Sequence, residues 1–266
     1  MQSDFFTKRQ TSYEEIQNKK LKEFYVVVQI VSTEIQLGEG PVLEASKVVM
    51  MYGLDILGYR TIIGLYKEKK EDNRYWINEL EKVKSRGMKK VLYVSIEENN
   101  KRLEQAMKIV YNPKINESIN EGVEKIAKYT QKKWASYGER EIIRAYLSES
   151  KEEYEKKMEE IEEKYKGNYI GSILIKEIKK RMIKDIEKPI VIRHMINSYA
   201  SKRKFKNWIK KAEREYEEIR DIEDLVEKKK EKFTTFERMR PYSKEKWSEI
   251  LNEIYKEHYE EIKEYI

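Results

Sequence analysis

The chain has no cysteine among its 266 residues. Disulfides and thiolate metal sites are therefore excluded, and the composition suits a reducing compartment. Histidine is scarce as well. His194 and His258 are the only two, they are remote in sequence, and neither has a Ser or Cys nucleophile beside it. A catalytic triad has no basis here. A glycine-rich phosphate loop is also missing: Gly38 and Gly40 flank a turn between strands, with no helix and lysine following. No apolar run reaches the ~18 residues of a membrane span. The first ten residues, MQSDFFTKRQ, lack a secretory apolar region. The expectation is a cytoplasmic protein that does not enter a membrane.

Charge of one sign is lacking too. The 56 basic residues face 49 acidic ones, leaving +7, in a chain that is 39% charged. Such a mixture reads as solvated helix faces laced with ion pairs. The modest positive excess permits nucleic-acid binding without demanding it. At this length the chain fits one large or two small domains, with its apolar residues concentrated on faces.

What is present has a clear order. Residues 1–22 are polar and helical from Ser12 onward, with Phe5 and Phe6 as anchors. Phe24–Ile35 is nearly all β-branched or aromatic and reads as a central strand buried on both faces. Leu37–Pro41 is a turn. The apolar runs Val48–Leu57 and Thr61–Tyr66, separated by Gly58, Tyr59 and Arg60, read as a hairpin. Trp76, Leu80 and Val83 recur on one face of a helix at about Asn73–Arg86, which Gly87 stops. Val91–Ile96 is the next strand, and Leu103, Ala106, Met107 and Val110 mark another helix. This alternation is an α/β layer, assigned to residues 23–119.

Residues 120–186 read as a wholly helical insertion, with Tyr154, Met158, Ile161 and Tyr165 as an apolar line. Its plain reading is a surface helical hairpin with a role in stability alone. Residues 187–266 then form closing helices. Within them Val226–Phe233 reads as a charged linker. Lys244–Ile266 is the clearest amphipathic helix, its stripe running from Trp247 to Ile262. Docking on the core is the default for it, and self-association the alternative. The segment Ser198–Lys211 carries six basic residues and no acid: Lys202, Arg203, Lys204, Lys206, Lys210 and Lys211. Two readings stay open: these side chains contact DNA phosphates, or they pair with an acidic helix at residues 212–224. Tyr199, Phe205 and Trp208 have the spacing of a buried face.

The stretch Gly53–Gly87 carries a resemblance. Gly53, Gly58 and Gly64, the pair Tyr75–Trp76 and the phrase Lys84-Ser85-Arg86-Gly87 stand at fixed spacings, with weaker similarity at Gln17-Asn18, Leu21, Ala106 and Val110-Tyr111. This pattern resembles the catalytic domain of mutator-type bacterial insertion-sequence transposases. The resemblance implies an RNase H-like mixed sheet flanked by helices. It also implies an N-terminal DNA-binding region for which this chain has little room, so that the chain is a fragment or has lost it. The activity implied is two-metal phosphoryl transfer, with carboxylates holding two Mg²⁺ ions ~3.5–4 Å apart.

The acidic triad implied by the resemblance falls on Val31, Glu97 and Asn197. Val31 has no ligand atom and Asn197 offers one neutral oxygen. Glu97 keeps a charge, and its plain reading is an exposed residue at a strand end. Among stand-ins, Glu34 lies on the opposite strand face from Val31, Gln29 is uncharged, and Glu98 points elsewhere. The family's cysteine and histidine after the fifth strand are replaced by the run Asn116–Gly122. The leading expectation is a catalytically inactive, transposase-derived protein that retains binding to double-stranded DNA or to a protein and takes no cofactor. A working transposase with displaced acidic residues and Mg²⁺ is the alternative. A remnant without present function is the third reading.

Overall fold

The computed structural model describes residues 11–68, 74–97, 100–129 and 132–265. Phe5, Phe6, Asn73 and Glu98 lie outside the described residues. Helix α1 (Tyr13–Asn18) starts at Ser12, whose hydroxyl accepts from Glu15 N. Three antiparallel strands follow: β1 (Phe24–Glu39), β2 (Val42–Leu54) and β3 (Arg60–Lys67). Helix α2 (Tyr75–Ser85) leads to β4 (Lys90–Glu97), and α3 (Lys101–Val110) leads to β5 (Lys114–Ser118). The last two strands run parallel to β1, and the sheet order is β3-β2-β1-β4-β5.

Residues Phe24 to Ser32 of β1 are buried without a break. A strand flanked on both sides and covered on both faces has no solvent side, hence no polar alternation. Beyond Thr33 burial alternates with exposure. There β1 and β2 run on as a two-stranded ribbon, and β1 passes the predicted end at Ile35 to reach Glu39. The turn is correspondingly tighter than Leu37–Pro41, since Glu39 pairs directly with Val42. At Gly38 a Cβ would stand 2.0 Å from the Val42 carbonyl oxygen, so a side chain has no room.

Gly58 turns the second hairpin at φ +78. Asp55 Oδ1 accepts from Leu57 N and Tyr59 N, both at 2.9 Å, which fixes the turn. Helix α2 buries Tyr75, Trp76, Leu80 and Val83 against one sheet face, together with α3. Gly87 ends it at φ +119. Beside it the Arg86 guanidinium donates to three carbonyls: Lys19 O at 3.1 Å, Ile63 O at 2.8 Å and Ile16 O at 2.8 Å. One side chain thus ties α1, β3 and the end of α2 together.

Four helices follow: α4 (Asn120–Tyr129), α5 (Lys132–Tyr146), α6 (Lys151–Tyr165) and α7 (Tyr169–Ile186). They share an apolar cluster that includes Val123, Ile142, Tyr154, Met158 and Ile178. Buried Arg193 fastens them to the next segment by donating to the carbonyls of Tyr146 and Ser148.

The remaining helices are α8 (Ile190–Ile196), α9 (Tyr199–Glu215), α10 (Ile222–Lys228), α11 (Lys230–Arg238) and α12 (Lys244–Ile262). They cover the other sheet face. The charged linker expected at Val226–Phe233 is absent: α10 and α11 meet there at Lys229. That lysine is buried and ion-paired with Glu215, while Phe233 and Phe236 fill the core. The acidic helix expected at residues 212–224 is absent as well. Helix α9 ends at Glu215, and Asp221 starts α10 by accepting from Asp224 N at 2.8 Å.

Helix α12 docks on its own sheet. Trp247 covers the Gly58 turn and donates from Nε1 to Ile56 O at 2.9 Å. Trp247, Ile250, Ile254 and Ile262 of the stripe are buried there, as docking on the core requires, while Tyr259 stays exposed. Among the described residues no helix is long and apolar enough to cross a membrane.

Candidate functional site at the ends of the parallel strands

Strands β1, β4 and β5 run in one direction, so their carboxyl ends open on the same edge of the sheet. In an open α/β sheet this edge is where ligand sites form. Gln29 pairs with Ser95 at the end of the β1–β4 ladder, and Val31 and Glu97 each stand two residues further on. The chain brings α4, the α8–α9 joint and α9 to this edge.

Glu97 is 1% exposed, not the exposed strand end its sequence suggested. A buried carboxylate needs partners. Ser32 Oγ donates to its Oε2. Lys202 Nζ, from the first turn of α9, stands 2.5 Å from its Oε1. The same ammonium is 2.9 Å from Glu124 Oε2 on α4, and Lys206 Nζ is 2.8 Å from Glu124 Oε1. Two carboxylates and two ammonium groups form one chain of ion pairs. Burial raises the Glu124 carboxyl, but Lys202 and Lys206 outweigh it and hold the group below the ordinary glutamate value. Burial pulls Lys202 down, and Glu97 and Glu124 more than reverse this, leaving it raised.

A neutral polar layer lies beside this chain. Asn120 Nδ2 donates to Ser198 Oγ at 2.8 Å, and Ser118 Oγ lies 3.4 Å from the same atom. Ser95 Oγ and Asn120 Oδ1 are buried without a hydrogen-bond partner among the described residues.

Residues 3–214 match the family described as Transposase, Mutator family. The chain belongs to this family. No curated protein matches it.

Of the three positions at which the mutator resemblance places acids, the structure puts Val31 in the apolar cluster with Phe205 and Ile209. Asn197 caps α8, and its Oδ1 accepts from Tyr199 N at 2.9 Å, which makes it a joint between helices. Glu97 alone points into the polar site. Among the possible stand-ins, Gln29 donates to Met195 O at 2.5 Å and accepts from the Tyr52 hydroxyl, and Glu34 is exposed. A pair of divalent ions needs several anionic oxygens around it. Among the described residues the ammonium of Lys202 stands between the carboxylates of Glu97 and Glu124.

The six basic residues of the α9 segment divide into groups. Lys202 is buried in the ion-pair chain, Lys206 joins its outer end, and Lys211 pairs with Glu215 at 3.2 Å. Arg203, Lys204 and Lys210 are exposed. Arg203, Lys206 and Lys210 fall at i, i+3 and i+7, one helix face. Glu124, Ser32, Ser118, Asn120 and Ser198 had not been singled out as site partners from the sequence. The acid-free first half of α9 was a signal that some of its lysines must find acids on another element.

Proposed function

We propose that this mutator-family chain is catalytically inactive toward DNA strands and retains DNA binding on the exposed face of α9. The observation that carries the first half is the position of Lys202, whose ammonium bridges Glu97 and Glu124 where the family's mechanism calls for metal-held carboxylates. Val31 supports it, since an apolar side chain in an apolar cluster stands at the position of the first acid. Three antiparallel strands with β4 parallel to β1 support an RNase H-like reading of the sheet. The basic face of Arg203, Lys206 and Lys210 supports phosphate contacts, which depend on salt because each releases condensed counterions. The test is supercoiled plasmid with Mg²⁺ or Mn²⁺. The expected result is no nicking. Nicking that disappears in Glu97→Gln overturns the inactive reading.

One observation favours the alternative of displaced acids. Glu97 and Glu124 share a single ammonium, so withdrawal of Lys202 leaves two carboxylates facing one site. Lys202→Met tested in Mn²⁺ separates the readings: metal-dependent nicking by this variant supports displaced acids, and its absence in a folded variant supports the inactive form.

A further inference from the structure

A second polar site lies on the sheet face that carries α8 to α12. A cavity of about 320 Å³ opens between the start of β3, the α8–α9 joint and the α11–α12 connection. Arg60, Lys204 and Arg240 line it, and among the described residues no aspartate or glutamate does. The arrangement of the two arginines is unusual. Arg60 stacks on Phe236, its Cζ 4.4 Å from the ring centre, and its Nε and Nη1 are buried without any acceptor among the described residues. Arg240 lies over Tyr59 at 4.0 Å, and its Nε is likewise buried without an acceptor. Burial lowers the Arg60 pKa, and nearby Tyr52 and Tyr242 offset this only in part. His194, on the same wall, is lowered by burial and then by Lys246 and Arg193, as expected where cations outnumber anions.

Leaving guanidinium donors buried and unpaired costs free energy. Three such nitrogens belong to arginines that line one cavity, with a lysine at its rim, and an acceptor-rich anion is the chemistry that would satisfy them. Guanidinium groups match the oxygen spacing of phosphate, and ion-assisted hydrogen bonds to it are the strong ones. Size limits the ligand. The volume is at the low end of the roughly 300–1,000 Å³ of small-molecule sites. It admits one nucleotide and excludes a duplex. Tyr52 and Tyr242 add aromatic wall for an attached sugar or base.

We propose that this cavity binds a terminal phosphate monoester of nucleotide size, either a free mononucleotide or the phosphorylated end of a single strand. The site is separate from Glu97 and Lys202 and needs no strand cleavage. It also differs from the α9 face, which presents itself to duplex.

Calorimetric titration of the full chain tests it. The probes are dAMP, inorganic phosphate, deoxyadenosine, and a short oligonucleotide with and without a 5′-phosphate. The expected result is binding of dAMP and of phosphate, none by the nucleoside, and about tenfold weaker dAMP binding in Lys204→Gln and in Arg240→Gln. Lys204 is exposed, so the first variant keeps its fold. Competition by the 5′-phosphorylated oligonucleotide alone identifies a strand end, and its failure to compete identifies a free nucleotide; either supports a phosphate monoester site. Equal binding of dAMP and deoxyadenosine, unchanged affinity in both variants, or no binding of any probe at millimolar concentration overturns the proposal. Duplex retention by the Arg240→Gln variant, whose altered residue lies outside α9, reports on the α9 face independently.

Discussion

Lys202 Nζ stands 2.5 Å from Glu97 Oε1, and both side chains are closed to solvent. A buried pair of this kind contributes little against an apolar replacement of both partners, because desolvation offsets attraction. Removing one partner alone is different, since the other charge stays buried. Lys202→Met is expected to destabilise the fold by about 3–5 kcal/mol. Lys202→Met combined with Glu97→Gln should recover much of that loss. Urea unfolding of the single and double variants is the check, and a double variant as weak as the first would show that packing rather than charge dominates.

Acid stability should depend on Glu124. Its carboxyl is held below the ordinary glutamate value. A depressed pKa contributes stability that is complete above the unfolded value of about 4.3 and is lost as pH falls through the folded one. Lys202, raised in the fold, acts on the other side: its contribution is complete below about 10.4 and is lost as pH rises through its folded value. The urea midpoint should therefore fall below about pH 4, and Glu124→Gln should flatten that acid limb. An unchanged limb would place the acid sensitivity elsewhere.

DNA retention should respond to exposed cations and not to the total charge of α9. The double variant Arg203→Gln, Lys210→Gln should lower the salt slope of binding by about 2. Its melting temperature should stay within about 1 °C, since both side chains are exposed. Fluorescence anisotropy against salt concentration measures the slope. A slope equal to that of the unaltered chain would remove this face from the interface.

Arg86→Lys should cost about 3 kcal/mol in urea unfolding. An ammonium keeps the charge but loses the fork that reaches three carbonyls on separate elements. A loss below about 1 kcal/mol would mean that water replaces the guanidinium.

The sheet was legible because its signals are local. A run of β-branched residues marks β1, Gly58 marks the hairpin, and Trp76, Leu80 and Val83 mark α2. The Arg86-Gly87 phrase carried the family resemblance, and in the fold it is an architectural lock. Charge was the poorer guide. Val226–Phe233 reads as solvated by composition, yet Lys229 is buried because Glu215 and the Tyr216 ring receive its ammonium. Glu97 looks exposed because its burial depends on Lys202. That pairing is set by how α9 crosses the sheet, and Glu124 comes from a helix in another part of the chain. No periodicity encodes such a meeting.

The contact of Trp247 with the Gly58 turn also sets a timetable. The tryptophan and its acceptor Ile56 are 191 residues apart. At ribosomal speeds of roughly 5–20 residues per second, the turn emerges on the order of 10–40 s before its cover. Throughout that interval the Gly58 turn is without the tryptophan ring that packs on it in the finished fold. During synthesis this turn stays open, and Gly58 receives its cover only when α12 arrives.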